Sequence, residues 1–302
     1  SNPLHARNSV IDRKNYWMAN NMQTARGCPH DCSFCSVTTF NGRHMRHREL
    51  DNVLAEIESM SKPRFMPKKM IPFVDDNIAA NPKRAKELFK ALIPLNINWG
   101  SQACISFGED EELVSLAAES GCRMLFIGLE TISTSALEEA GKHQNRVERY
   151  AESLRRLREH DIYVTGSFIF GFDADDDSIF QDTLDFAIEN KIHLAQFSNL
   201  TPLPGTRLYD QMVAENRMEP GYWLNGMRDD EAVFQPKNFD PWELADKTRK
   251  VQRDFYSIRS IMKRFYFSRY APHLLLYNLM YNRFGTDRSP VYRVTRPAQY
   301  PA

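Results

Sequence analysis

The sequence predicts an α/β fold with a parallel sheet and a helical C-terminal extension. Three observations carry that expectation. Short β-like apolar runs alternate with amphipathic helical runs from about residue 22 to residue 205. The helical runs are long enough to cross back over a sheet, which requires parallel strands and right-handed connections. After Gly205 the alternation stops, and residues 206–302 are rich in aromatics at helix-like spacing.

The elements follow in order. Residues 22–26 form a short strand. In 51–60 (DNVLAEIESM) the apolar residues at 53, 54, 57 and 60 keep a helical period. Residues 70–74 are an apolar strand. Asn81 caps a helix over 82–93 that carries Pro82 at its first position. A strand over 97–107 leads to a helix over 111–120, ended by Gly121. The run MLFIGL (124–129) is a buried strand, followed by helices at 135–140 and 146–160. A strand at 163–170, a helix at 178–190 and a strand at 192–200 complete the series, which closes on Pro202, Pro204 and Gly205. These make about six β–α units. Six are fewer than a closed eight-unit barrel needs, so the alternation alone allows a partial barrel or an open sheet. Both place ligands at the carboxyl ends of the strands.

Composition narrows the function. With 42% hydrophobic residues the 302-residue chain can build a large core, which excludes wholesale disorder. The 39 basic and 39 acidic residues exclude a uniformly basic nucleic-acid binder. No apolar run is long enough to span a membrane, and the polar first 20 residues lack the apolar stretch of a secretory signal. The opening Ser1-Asn2-Pro3, without an initiator Met, reads as a cut end. Five cysteines, an odd count without a secretion signal, point to a cytoplasmic protein whose thiols do metal or redox work.

The strongest chemical signal is Cys28-Pro-His-Asp-Cys32-Ser-Phe-Cys35. Three thiolates within one short loop can converge on a soft metal centre, whether zinc, copper(I) or iron–sulfur. A [4Fe–4S] cluster normally takes four cysteines, so three would leave one iron open. Zinc with His30, His44 or His47 as fourth ligand is a second reading, and a cysteine stripe on a helix a third. Gly27 and Pro29 argue against a regular helix there. Cys104, in a strand, and Cys122, at a helix end, are poor fourth ligands by position.

The C-x3-C-x2-C loop, with an aromatic before its last cysteine and at the head of a repeated β/α chain, resembles the radical S-adenosylmethionine (SAM) superfamily. The stretch MQTARGCPHDCSFCSVTTFNGR is most similar to the cobalamin-dependent class. The resemblance implies a partial (β/α)6 TIM-like barrel. It also implies a [4Fe–4S] cluster on Cys28, Cys32 and Cys35, with SAM on the open iron and cleaved to a 5′-deoxyadenosyl radical. Phe34 would pack near the adenine. Asp75 or Asp76, after the strand at 70–74, would meet the SAM amino group. Ser101 and Gln102 would face the ligand, and Glu130, ending MLFIGLE, would take the ribose or amino-acid part. Lys142 and His143 are weaker candidates for the SAM carboxylate, since loop charges are usually solvated. Phe168 and Gly171, in GSFIFGFD, and Leu203, in LPGT, would border the adenine. Only some 20 residues precede the loop, too few for a cobalamin domain, so cobalamin is expected only if another segment supplies it.

The expected organisation is therefore a linker over 1–20, a radical SAM core over 21–206 and a helical extension over 207–302, a candidate substrate cover. The stretch 246–269 carries eight basic residues with Phe255, Tyr256, Phe265, Tyr266 and Phe267 among them. That pattern suits a face packed on the barrel, and less well nucleic acid or peripheral membrane contact. The resemblance implies modification, including methylation, of an unactivated carbon in a small-molecule, lipid-like or natural-product substrate. The electron donor would be a flavodoxin or ferredoxin. An RNA-modifying enzyme and a zinc-stabilised binding protein without chemistry are the competing readings. No catalytic side chain is identified, because radical chemistry needs no dedicated acid–base pair.

Overall fold

The computed structural model describes residues 20–60, 62, 67–218, 221–222, 232–265 and 272–282. The linker expected over 1–20 lies outside these residues, apart from Asn20, as do the aromatics at 266 and 267.

The fold is the expected α/β partial barrel. Its sheet runs in the order β3 (Met70–Pro72), β4 (Asn98–Cys104), β5 (Cys122–Glu130), β6 (Tyr163–Phe170) and β7 (Leu194–Asn199), with every neighbouring pair parallel. The first expected unit is reduced. Met22 joins the β3 edge by one parallel bridge to Phe73. The chain then turns into a small ribbon in which β1 (Ala25–Arg26) pairs antiparallel with β2 (Arg46–His47).

The crossovers are α2 (Leu50–Ser59), α3 (Pro82–Leu92), α4 (Glu111–Glu119), α5 (Thr134–Glu139), α6 (Val147–Glu159) and α7 (Ser178–Glu189); the short α1 (Ser36–Asn41) lies between β1 and β2. Helix starts obey local chemistry. Asn81, Asp110 and Ser133 each accept a backbone N–H from the first turn of their helix, filling donors that the helix itself leaves unpaired. The expected strand over 97–107 stops earlier, because Ile105–Glu109 winds into a 3-10 turn.

Strand alternation separates two faces. Trp99 on β4, Leu125 and Ile127 on β5, Phe168 and Phe170 on β6 and Phe197 on β7 are buried in the main core. Phe168 stacks on Phe197 with ring centroids 5.3 Å apart, and Phe197 meets Phe255 of the C-terminal helices edge to face at 5.5 Å. The opposite, inner face carries Gln102 and Cys104, Phe126 and Gly128, Thr165, Ser167 and Ile169, then Gln196 and Ser198. Register aligns Cys104, Gly128, Ser167 and Gln196 in one row across it.

Among the described residues past Gly205 the chain carries helices, α8 (Arg207–Ala214), α9 (Pro241–Phe255), α10 (Ile258–Phe265) and α11 (Pro272–Met280). The single helix read from 241 onward is two. The break follows Phe255, where the Tyr256 hydroxyl bridges to the Ala195 backbone of β7 and Ser257 offers its hydroxyl to the Ser260 N–H. Arg264 then ties the parts together. Its buried guanidinium donates to the carbonyls of Ile192, His193 and Phe255 and to Asn278 Oδ1, and it lies 3.8 Å from the Phe255 ring centroid. Burial pushes its pKa down to about 10. An Arg264→Ala variant leaves these buried acceptors unpaired and loses about 3 kcal/mol of stability. The check is a lowered urea midpoint at unchanged slope.

Candidate active site

The thiol loop is placed before it is functional. Asp75, buried at the end of β3, accepts from the Thr24 N–H (2.9 Å), the Thr24 hydroxyl (2.6 Å) and the Ala25 N–H (2.6 Å). Burial raises its pKa, and the Thr24 and Ala25 donors work against that rise. Asp76 Oδ2 accepts the Gly27 N–H at 3.0 Å. Gly27 itself has φ +94°, and a Cβ there would stand 2.5 Å from the His44 carbonyl oxygen, so only glycine fits. Downstream, the Ser33 N–H donates to the Ala140 carbonyl (2.8 Å) and the Ser33 carbonyl accepts from the Leu208 N–H (3.0 Å). The loop is thus pinned to β3, to the end of α5 and to the start of α8.

Cys28, Cys32 and Cys35 are all free thiols, partly exposed on that loop. Burial pushes the Cys28 thiol up to about 11 and raises Cys35 as well. A bound metal centre reverses that preference, because coordination stabilises the thiolate. Among the described residues no three His, Cys, Asp or Glu side chains stand close enough to share one metal ion. Three thiols on one loop are the soft donor set that an iron–sulfur centre takes, so the residues present suit a [4Fe–4S] cluster. Amide donors complete the fit: Gln144 Nε2 lies 3.7 Å from Cys32 Sγ.

Facing the loop is a buried ion pair. Lys142 Nζ donates to Glu130 Oε1, with both side chains less than a tenth exposed. Burial opposes the Lys142 charge, but the Glu130 carboxylate and the nearby Cys104 and Cys32 hold its pKa above the usual lysine range. Space for the pair comes from Gly128, where a Cβ would stand 2.4 Å from Glu130 Oε1 and 2.9 Å from Lys142 Nζ. Glu130 sits at φ +66°, a strained backbone for a non-glycine residue, at a register shift between β5 and β6. Asn145 holds that turn, donating from Nδ2 to the Gly128 and Leu129 carbonyls and to the Tyr150 hydroxyl. Lys142 is therefore no solvated loop charge, whereas His143 is exposed.

The remaining expected residues divide. Phe34 packs edge to face on Phe172 at 6.3 Å, in an apolar cluster with Ile169 and Leu200. Gln102 is exposed on the inner face. Ser101 is on the other face, with its hydroxyl donating to the Phe73 carbonyl at 2.9 Å. Phe168 also points away, into the aromatic core, and Ile169 takes the inner position. Gly171, at φ +105°, gives its N–H to Asp175 Oδ2 at 2.8 Å. The Leu203 carbonyl accepts the Thr206 N–H and hydroxyl beside α8. Cys104, set aside by position, faces inward in the row that ends near the thiol loop. Asn77 Nδ2 is 3.3 Å from its sulfur, and it acts electrostatically on Cys28. Only strand phase could have found it.

With this geometry in place, comparison with known proteins gives the family. The chain belongs to the radical SAM superfamily, whose model matches residues 22–187. It is 34% identical over 265 residues to bacteriochlorophyllide d C-12(1)-methyltransferase of Chlorobaculum tepidum, covering 88% of this chain and 57% of that protein. It is 26% identical over 208 residues to the hopanoid C-2 methylase of Rhodopseudomonas palustris, covering 67% and 39%. The fold also matches the radical SAM methyltransferase TsrM of Kitasatospora setae, solved with cobalamin and a [4Fe–4S] cluster. The TM-score is 0.59 at 22% identity, over 78% of this chain and 46% of that one. The chain spans about half the length of these relatives. Among the described residues no helix is long and apolar enough to cross a membrane.

Two predictions follow from the geometry. Lys142→Met strands the Glu130 carboxylate in the interior and costs about 3–5 kcal/mol, while Glu130→Leu combined with Lys142→Met recovers most of that loss. Chemical denaturation of the three proteins reads it. The second concerns Asp175, which burial pushes up to about 7 and whose Oδ1 has no hydrogen-bond partner. Its folded pKa lies above the unfolded value of about 4, so the native state holds the proton longer. Stability from this group is full below pH ~4 and falls until pH ~7. Asp175→Asn cannot ionise, so its melting temperature drops less between pH 5 and pH 8 than the wild type's, by several degrees.

Proposed function

We propose that this chain is the catalytic core of a radical SAM methyltransferase that acts on an unactivated carbon of a lipid-like or tetrapyrrole natural product. The observation that carries the reading is a three-thiol loop pinned against the carboxyl end of a partial barrel, beside a buried Glu–Lys pair. The relatives' names, which include bacteriochlorophyllide and hopanoid methylation, support the reaction type and substrate class.

Cys28, Cys32 and Cys35 would hold three irons of a [4Fe–4S] cluster and leave the fourth for SAM. When bound, the cluster supplies the electron that splits one carbon–sulfur bond of SAM, giving methionine and a 5′-deoxyadenosyl radical. The chain's own residues bind, orient and shield. Glu130 keeps one carboxylate oxygen on Lys142 and offers the other to the SAM amine or ribose. Asp76, which carries only the Gly27 N–H and a distant Asn41 amide where Asp75 is held by three Thr24 and Ala25 donors, supplies the other acceptor for the N–H groups of the amine. Phe34 and Ile169 give an apolar border for the adenine, with the backbone around Gly171 and Leu203 beside them. Gln102, Thr165, Ser167 and Gln196 face the space where substrate would lie, on the inner side of the half-barrel. A small acidic protein of the flavodoxin or ferredoxin type supplies the electron. We assign cobalamin to no residue of this chain; it would reach the sheet from another segment.

The test is anoxic reconstitution, with iron and sulfide measured, then addition of SAM and dithionite. The expected result is about four irons per chain and formation of 5′-deoxyadenosine, both lost in Cys32→Ala. A colourless protein with one zinc and no sulfide overturns the proposal in favour of the binding protein. Incubation with a bacteriochlorophyllide, a hopanoid and an RNA transcript, each with methyl-labelled SAM, then reads the substrate class.

A further inference from the structure

The outer side of the thiol loop carries a charge pattern that the reaction inside the barrel does not use. Register places Arg26 of β1 directly opposite Arg46 of β2, and both are exposed. Like charges directly across a ribbon repel. Their recorded partners are neutral: Arg26 Nε donates to Gln23 Oε1 at 2.8 Å and Arg46 Nη1 to the Asn41 carbonyl at 2.9 Å. Among the described residues no carboxylate forms an ion pair with either. A few residues away, Arg43 and Arg207, both more than half exposed, share the single carboxylate of Asp31. Four arginines therefore meet one acid in a chain whose overall charge is balanced.

Arg43 and Arg207 of this patch border the loop's opening to solvent. A pocket of about 230 Å³ opens there, with Cys32 and Cys35 in its lining and Arg43 and Arg207 among its walls. Beside it, α1 buries none of its residues, and Phe40 at its end is 84% exposed. Exposed arginines and one exposed aromatic on the elements beside Cys32 and Cys35 fit a transient protein contact better than a small anion. An anion needs converging donors in a closed site, whereas these arginines stand on separate elements of an open surface.

We propose that this face, formed by Arg26, Arg46, Arg43, Arg207 and Phe40, docks the acidic one-electron carrier that reduces the cluster. The inference rests on the radical SAM reading above. The carrier gives up one electron, the oxidised cluster takes it, and no proton or group is transferred. Docking at the loop's outer side puts donor and acceptor close together while the inner face stays free for SAM and substrate.

The experiment uses the reconstituted full chain and an Arg26→Glu/Arg46→Glu/Phe40→Ser variant, none of whose altered side chains touches a cysteine. Cluster bleaching is followed by anoxic stopped flow with two reductants: a reduced acidic flavodoxin, and reduced methyl viologen, a small cation. The expected result is a flavodoxin rate at least tenfold lower in the variant, with the wild type's steep salt dependence lost. The viologen rate and viologen-driven 5′-deoxyadenosine are expected to be equal in both proteins. A flavodoxin rate unchanged by the substitutions overturns the docking face, and so does an equal fall with both reductants, which would report a damaged loop. A wild-type protein that binds no cluster overturns the enzymatic reading itself, a failure visible before any carrier is added.

Discussion

A charge pair buried at the end of a strand organises this molecule. Glu130 and Lys142 are both out of water, and an ion left alone there would cost several kcal/mol. The pair exists because Gly128 leaves the volume empty and because the chain accepts a left-handed backbone at Glu130. Asn145 and Tyr150 hold the strained turn from below. The segment that carries Lys142 also carries Gln144 onto Cys32, and its neighbour Ala140 accepts the Ser33 N–H. One electrostatic constraint thereby couples the end of β5, the α5–α6 connection and the thiol loop, and it places a fixed cation beside sulfurs that become anions when they bind metal.

The sheet supplies the second half of the arrangement. Its outer face is closed by aromatic packing under the helices, and one row of its inner face, Cys104, Gly128, Ser167 and Gln196, is small or polar. Asp75 completes the geometry at the sheet edge. Its carboxylate is consumed in fastening Thr24 and Ala25, so the chain enters the loop from a fixed point instead of from a frayed strand.

Much of this was legible in the sequence. The C-x3-C-x2-C spacing marks a thiol loop and the β–α alternation an α/β fold, because both are local information, whereas alternation alone allowed an open sheet as well as the partial barrel that the resemblance implies. What failed was long-range or depended on phase. In YVTGSFIF the polar Thr165 and Ser167 share a phase with Ile169, while Phe168 keeps the phase of Val164 and Phe170, so strand alternation itself sends Phe168 to the core and Ile169 to the inner face. Ser101 likewise shares the phase of Trp99 and Ala103 and falls on the core face, while Cys104 shares the phase of Gln102 and falls on the inner one. Lys142 looked like an ordinary loop lysine because its partner lies twelve residues earlier and its cavity is the absence of a Cβ at Gly128. The first strand shrank to the Met22–Phe73 bridge because the chain must leave the sheet to form the loop. The single helix read from 241 onward broke after Phe255 because the Tyr256 hydroxyl is claimed by β7.

The central claim is that the thiol loop holds a cluster with one iron open to SAM. Electron paramagnetic resonance of the reduced, reconstituted protein, recorded with and without SAM, tests it most directly. The expected result is a [4Fe–4S] signal whose g values change when SAM is added, as they would if SAM took the iron that Cys28, Cys32 and Cys35 leave open. A signal indifferent to SAM, or no iron signal at all, would contradict it.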